Sequence, residues 1–151
     1  MVTFIWNLAL LALAAPTLAI PAPTETLDKR TITSPKKATC HGYTYTQSRV
    51  QAAAQAAASH LNARTTVGQN AYPHQFRNSP ENFVFQAGCN APYYEFPILQ
   101  SGSIFTGATG PGADRVVIGS MSSTKADAVL CGAMTHTGAP TTNGFVKCTL
   151  S

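Results

Sequence analysis

Beyond residue 30 the chain carries four acids, Glu81, Glu95, Asp114 and Asp127, and four histidines, His41, His60, His74 and His136. So few carboxylates, scattered so widely, do not form the acidic cluster that holds two divalent ions in two-metal phosphoryl transfer. No G-x-S-x-G nucleophile elbow occurs. The glycine-rich stretch Gly107-Ala-Thr-Gly-Pro-Gly112 is not followed by a helical pattern, so it reads as a turn rather than a phosphate loop. What remains is Glu95 in Pro92-Tyr-Tyr-Glu-Phe-Pro-Ile98, His74 in Tyr72-Pro-His74, Arg115 in Pro111-Gly-Ala-Asp-Arg-Val-Val117, and His136 in Thr135-His-Thr-Gly138. One carboxylate, two imidazoles and one guanidinium supply the base, the acid and the fixed positive charge that metal-free phosphoryl transfer requires.

Taken singly, each of these residues has an ordinary role. A lone histidine is commonly a surface or hydrogen-bonded structural residue, and Arg115 could be an ordinary salt-bridge partner of Asp114 or Glu95. The combination carries the argument, and it needs a scaffold that projects all four groups from one surface.

The spacing predicts that scaffold. Ser48-Arg-Val-Gln51 fits a capping box, and Val50, Ala53, Ala54, Ala57 and Leu61 recur at helical intervals to about Ala63. Alanine dominates the inner face, so a sheet can approach it closely. From Tyr72 onward the segments shorten between Gly, Pro, Ser and Asn, which suits an antiparallel meander with strands at 72–76, 93–99, 115–118, 129–135 and 144–148. Alternation puts Tyr94, Phe96 and Ile98 on one face and Glu95 on the other, and likewise opposes Asp114, Val116 and Ile118 to Arg115 and Val117. The expected fold is α+β: one α-helix packed on a curved antiparallel β-sheet, with the other face left for chemistry.

Of the 151 residues, 44% are hydrophobic and 11% charged, a composition that folds rather than stays disordered. Leu8 to Ile20 is nearly all apolar and ends in small residues, so 1–19 reads as a signal peptide, too short for a span of about 20 residues. Residues 20–30 are Pro-rich and close on Lys29-Arg30, the mark of a propeptide, which leaves 31–151 as the functional domain. That domain keeps eight of the ten Lys and Arg and four of the six acids, so the net charge of +4 stays on it and favours polyanionic partners.

Cys40, Cys89, Cys131 and Cys148 form an even set in a secreted chain, hence a framework of two disulfides with three possible pairings. A Cys40–Cys148 bridge would join the domain's ends, with Cys89–Cys131 as the second. A zinc site on Cys40, His41 and Cys131 lacks any C-x-x-C spacing. Asn78-Ser79-Pro80 is no glycosylation sequon.

Four segments, Tyr72-Pro-His74, Tyr94-Glu-Phe-Pro97, Gly110-Pro-Gly-Ala-Asp-Arg-Val-Val117 and Thr135-His-Thr-Gly-Ala139, resemble in order and spacing the small fungal guanyl-specific ribonucleases of the T-one/N-one type. The resemblance covers roughly Cys40 to Thr149. It implies a secreted, extracellular, disulfide-bonded enzyme that cleaves single-stranded RNA after guanosine, or after purines, through a 2′,3′-cyclic phosphate. Glu95 then corresponds to the general base, His136 to the general acid and His74 to an assistant of the base. Arg115 and Tyr72 stabilise developing charge, and Phe145 forms an apolar wall.

In the base loop, Phe76-Arg-Asn-Ser-Pro-Glu81 is one residue longer than the family pattern. Phe76, Arg77, Asn78 and Glu81 remain to meet the base, joined by Asn143 from a lengthened 139–144 segment, while Ser79 or Pro80 replaces a second stacking aromatic. His41 and His60 match no family motif. No cofactor, metal or membrane is implied, and the chain is expected to act as a monomer. The alternative in view is a secreted cytotoxic or virulence effector that uses the same site or binds host RNA. The loops here are short and poor in lysine, unlike those of fungal ribotoxins.

Overall fold

The computed structural model describes residues 31–125 and 127–151, so the expected signal peptide and propeptide, 1–30, lie outside the described residues. One helix, α1 (Gln47–Ala63), is followed by most of the strands. Thr46, rather than Ser48, caps it: the Thr46 hydroxyl accepts from the Arg49 amide, and the Ser48 hydroxyl instead meets that of Thr46. Both residues are good caps by type, and the chain turns into the helix two residues earlier than the pattern suggests. Arg64 ends the helix in the left-handed conformation, its amide bonded to the carbonyls of His60 and Leu61.

The main sheet runs β1 (Ile32–Thr33), β7 (Ala128–Thr135), β6 (Asp114–Gly119), β5 (Tyr93–Pro97), β4 (His74–Phe76), with β8 (Val146–Lys147) also paired to β7. Its centre is antiparallel as expected, but β1 lies parallel to β7, so the sheet is mixed. A second, small sheet, β3 (Tyr43–Tyr45), β2 (Ala38–Cys40), β9 (Thr149–Leu150), brings the ends of the domain together. The expected strand at 144–148 is thus split, and that at 93–99 stops at Pro97.

Cys40 bonds Cys148 and Cys89 bonds Cys131. The first bridge spans 108 residues of chain, a closure that stabilises by roughly 4–5 kcal/mol in the chain-entropy picture.

The period-2 alternation decides what each sheet face meets. On one face Phe96, Val116, Ile118, Leu130 and Ala133 pack with the buried helix residues Val50, Ala53, Ala54, Ala57 and Ala58. The small side chains let the helix sit close on the sheet. On the other face Phe76, Val117, Cys131 and Met134 form a smaller core, covered by Phe83, Phe85, Tyr93 and Phe145. A register shift between Val117 and Ile118 leaves Cys131 as the extra residue of β7, so Leu130 and Ala133, three residues apart, both face the helix while Cys131 and Met134 both face the other side.

Candidate active site

The face away from the helix carries the polar residues. His74 stands opposite Glu95 across β4 and β5, and Glu95 stands opposite Val117 across β5 and β6. Two residues before Val117 along β6 comes Arg115, which faces Met134 of β7, and two residues after Met134 comes His136. Alternation therefore turns His74, Glu95, Arg115 and His136 to one side.

Glu95 is 3% exposed, and its Oε1 lies 3.1 Å from His74 Nε2. Burial pushes the Glu95 carboxyl up to about 7; the charge of Glu81 adds to this and Arg115 opposes it. Burial pulls His74 down, with Arg115 acting in the same direction. Both shifts favour the uncharged forms, so near neutral pH this contact is a hydrogen bond of a poised carboxyl rather than a strong ion pair.

Arg115, 2% exposed, is held by backbone: its Nη1 donates to the carbonyls of Gly112 at 2.9 Å, Asp114 at 2.9 Å and Pro111 at 3.3 Å. Its Nη2 donates to the Tyr72 hydroxyl at 2.9 Å, and the guanidinium carbon lies 5.0 Å from the centre of that ring. Neither Asp114 nor Glu95 is its salt-bridge partner; the Asp114 carboxylate turns to the helix side and takes the Tyr45 hydroxyl. Tyr72 in turn stacks on His74 at 4.7 Å. The loop supplying these carbonyls is fixed by close backbone approach, since a methyl group on Gly107 would lie 2.4 Å from the Gly68 amide nitrogen. The glycine-rich stretch is a loop, as its sequence suggested.

His136 is anchored by its amide, which donates to the Ala113 carbonyl at 3.0 Å, and by Nδ1, 2.8 Å from the Gly144 carbonyl. The second contact fixes Nδ1 as the protonated nitrogen and leaves Nε2 facing outward. Phe145 stacks on the imidazole at 4.0 Å and meets Phe76 edge-on at 5.7 Å. Among described residues only two buried side-chain atoms lack any partner, Glu95 Oε2 and Arg115 Nε. Both belong to this face, where a bound ligand would supply the missing bonds.

The loop expected to meet the base is shaped by Asn78, whose side-chain oxygen accepts from the Phe83 amide at 2.7 Å and whose nitrogen donates to the Phe83 carbonyl at 2.9 Å. Asn78 itself is left-handed, with φ of 54°. Glu81 is half-buried at the loop and close enough to act on Glu95, whereas Arg77 and Asn143 are exposed. Phe83, Phe85 and Tyr93 were not singled out from sequence, yet Phe83 lies 6.2 Å from Phe76 and supplies aromatic surface that Ser79 and Pro80 do not. The alternation of Phe83-Val84-Phe85 just past the loop was the available signal.

His60 is set apart from this face, stacked on Phe96 with Nδ1 2.8 Å from the Thr65 hydroxyl. His41 is exposed in the β2–β3 turn, and its neighbour Cys40 is disulfide-bonded, as is Cys131, which removes the zinc set considered from sequence. No group of three His, Cys, Asp or Glu converges among the described residues, and no helix there is long and apolar enough to cross a membrane.

A ribonuclease family model matches residues 33–149. The chain is 46% identical over 111 residues to guanyl-specific ribonuclease Th1 of Trichoderma harzianum, covering 74% of this chain and 95% of that protein. Guanyl-specific ribonuclease F1 of Fusarium fujikuroi is 40% identical over 145 residues, 96% of this chain and 95% of its own. Guanyl-specific ribonuclease T1 of Aspergillus oryzae is 45% identical over 112 residues, 74% and 77% of the two chains. With its four motifs on one sheet face and these relatives along nearly its whole domain, the chain belongs to the ribonuclease family.

Proposed function

We propose that the protein is an extracellular endoribonuclease that cleaves single-stranded RNA on the 3′ side of guanosine, without a metal or cofactor, as a monomer. The leader at 1–19 and the dibasic propeptide at 20–30 would be removed to release 31–151. The observation that carries the reading is the pair of buried, unpartnered atoms, Glu95 Oε2 and Arg115 Nε, on the face that also presents His136.

In the first stage Glu95 takes the proton of the ribose 2′-OH. The 2′-oxygen forms a bond to phosphorus while the bond to the 5′-oxygen breaks, and His136 gives that oxygen its proton. The product is a 2′,3′-cyclic phosphate, and DNA, which lacks the 2′-OH, is not cut. In the second stage water opens the ring with the two proton roles reversed. Arg115 and the Tyr72 hydroxyl face the phosphate oxygens as charge builds, and their backbone cradle is formed in advance, so little reorganisation is needed. His74 donates to Glu95 and steadies it. Phe145 keeps water from the His136 ring.

Phe76 with Phe83 offers aromatic surface to the guanine, Glu81 accepts from its edge, Asn78 holds the loop, and Arg77 and Asn143 flank the base. The guanyl-specific relatives support guanine over other purines.

Two substitutions test the roles. Glu95→Ala and His136→Ala should each lower kcat about 10²–10⁴-fold on GpC, the range of a positioned acid or base, while the fold is kept. A folded His136→Ala enzyme of full activity would remove the assignment of the acid.

A further inference from the structure

We propose that the groove between segment 84–86 and the chain of β8 and β9 is a second RNA subsite, taking the nucleotide on the 5′ side of the guanosine. The groove, of about 530 Å³, is lined by Lys36, Val84, Phe85, Gln86, Lys147 and Leu150 among others, with no acidic residue in its wall. It arises from the same alternation that builds the catalytic face. Phe83 and Phe85 turn inward onto Val117, Cys131 and Met134, so Val84 between them turns out and is 81% exposed. No other large hydrophobic residue among those described is as exposed. Such a side chain beside two lysines suits a nucleotide, whose base covers apolar surface while its phosphate meets an ammonium.

The groove adjoins the site through the residues that precede its walls in the chain. The Phe83 backbone clamps Asn78 of the base loop, and Phe145, two residues before Lys147, stacks on His136. Lys147 Nζ donates to the Val84 carbonyl, which ties the two walls together and leaves two ammonium hydrogens for an anion. Lys36 is exposed and has its full donor set at the surface.

The direction of the RNA follows from the chemistry, and here the inference rests on the reading of His136 as the acid. His136 protonates the 5′-oxygen of the departing nucleoside, so the 3′ part of the RNA leaves past His136 and the Gly112 loop. The 5′ part then leaves on the side away from His136, where Asn78 holds segment 83–86, a wall of the groove, beside the loop.

The test compares GpC, CpCpGpC and GpCpCpC as substrates for the 31–151 protein and for its Lys36→Ser and Val84→Ser variants. We expect the 5′ extension to raise kcat/KM roughly threefold or more at low salt, each variant to lose most of that gain, and both to cleave GpC as the parent does. For CpCpGpC, Lys36→Ser should also make the logarithmic salt dependence shallower by about 0.7. A gain confined to the 3′ extension, a 5′ gain unchanged in both variants, or an equal loss on GpC would each overturn the proposal. An unchanged RNA profile would point to a protein partner for the groove instead. Anisotropy of a CpCpGpC analogue with 2′-deoxyguanosine reads binding without cleavage, so the groove is tested even if the parent fails to cut GpC. Loss of affinity in Lys36→Ser supports it, and equal affinity rejects it.

Discussion

Asp114 and Arg115 are neighbours in β6 and both are buried, yet they face different halves of the molecule. Asp114 turns to the helix side and is satisfied by the Tyr45 hydroxyl, whose own ionisation is driven upward mainly by burial. Arg115 turns to the open side and keeps one buried nitrogen without a partner, as Glu95 does with one oxygen. The helix-covered face is closed in the sense that its polar groups pair within the protein. The open face holds polar groups at a cost in stability that a bound substrate would offset. Substitutions on the two faces should therefore separate stability from activity.

The strongest break of the helix-side half is removal of the Cys40–Cys148 bridge, which closes that region through β2 and β9. Cys40→Ala with Cys148→Ala should lower stability by roughly 4 kcal/mol, read in urea unfolding, while the folded fraction keeps its turnover of GpC.

On the open face the opposite is expected of Glu95→Gln. The carboxyl rises from 4.5 in the unfolded chain to about 7 in the folded one, so the folded state resists its ionisation and loses stability as pH climbs through that window. The amide variant escapes that loss. It should be more stable than the parent at pH 8, by at most about 3 kcal/mol, and near parity at pH 4, while activity falls steeply. A variant no more stable than the parent at pH 8 would show that the buried carboxyl carries no such cost. If Glu95 is the base, as proposed, it must be ionised to accept a proton, so the same titration should set the acid limb and kcat/KM should rise with pH toward about 7.

Asp114→Asn is the smallest change. It should cost about 1–3 kcal/mol of stability by weakening the contact with Tyr45, and leave GpC turnover per folded molecule intact.

Much of this division was legible in the residues. Strict alternation around Glu95 and Arg115 sorted the two faces, and the alanine stripe of α1 marked the side that the helix covers. Less was legible where elements are too short to show a period. β1, β8 and β9 are two residues each, and β2 and β3 three, so neither the parallel pairing of β1 nor the second sheet has a sequence pattern to betray it. The cradle of Arg115 was equally hidden, because it is built from carbonyls of Pro111, Gly112 and Asp114, and any residue supplies a carbonyl. Phe83 was missed for a different reason. The motif expected to meet the base ends at Glu81, and the aromatic that accompanies Phe76 comes from beyond it, brought back by the Asn78 clamp.

The central claim is that the open face performs metal-free transesterification at guanosine. The most direct test incubates the oxidised 31–151 protein in excess chelator with ApC, CpC, GpC and UpC and identifies products by mass. The account predicts guanosine 2′,3′-cyclic phosphate and cytidine from GpC, with little cleavage of the other three. Equal cleavage of ApC would make the site purine-reading rather than guanine-reading, and a folded protein that cuts none of the four would contradict the account.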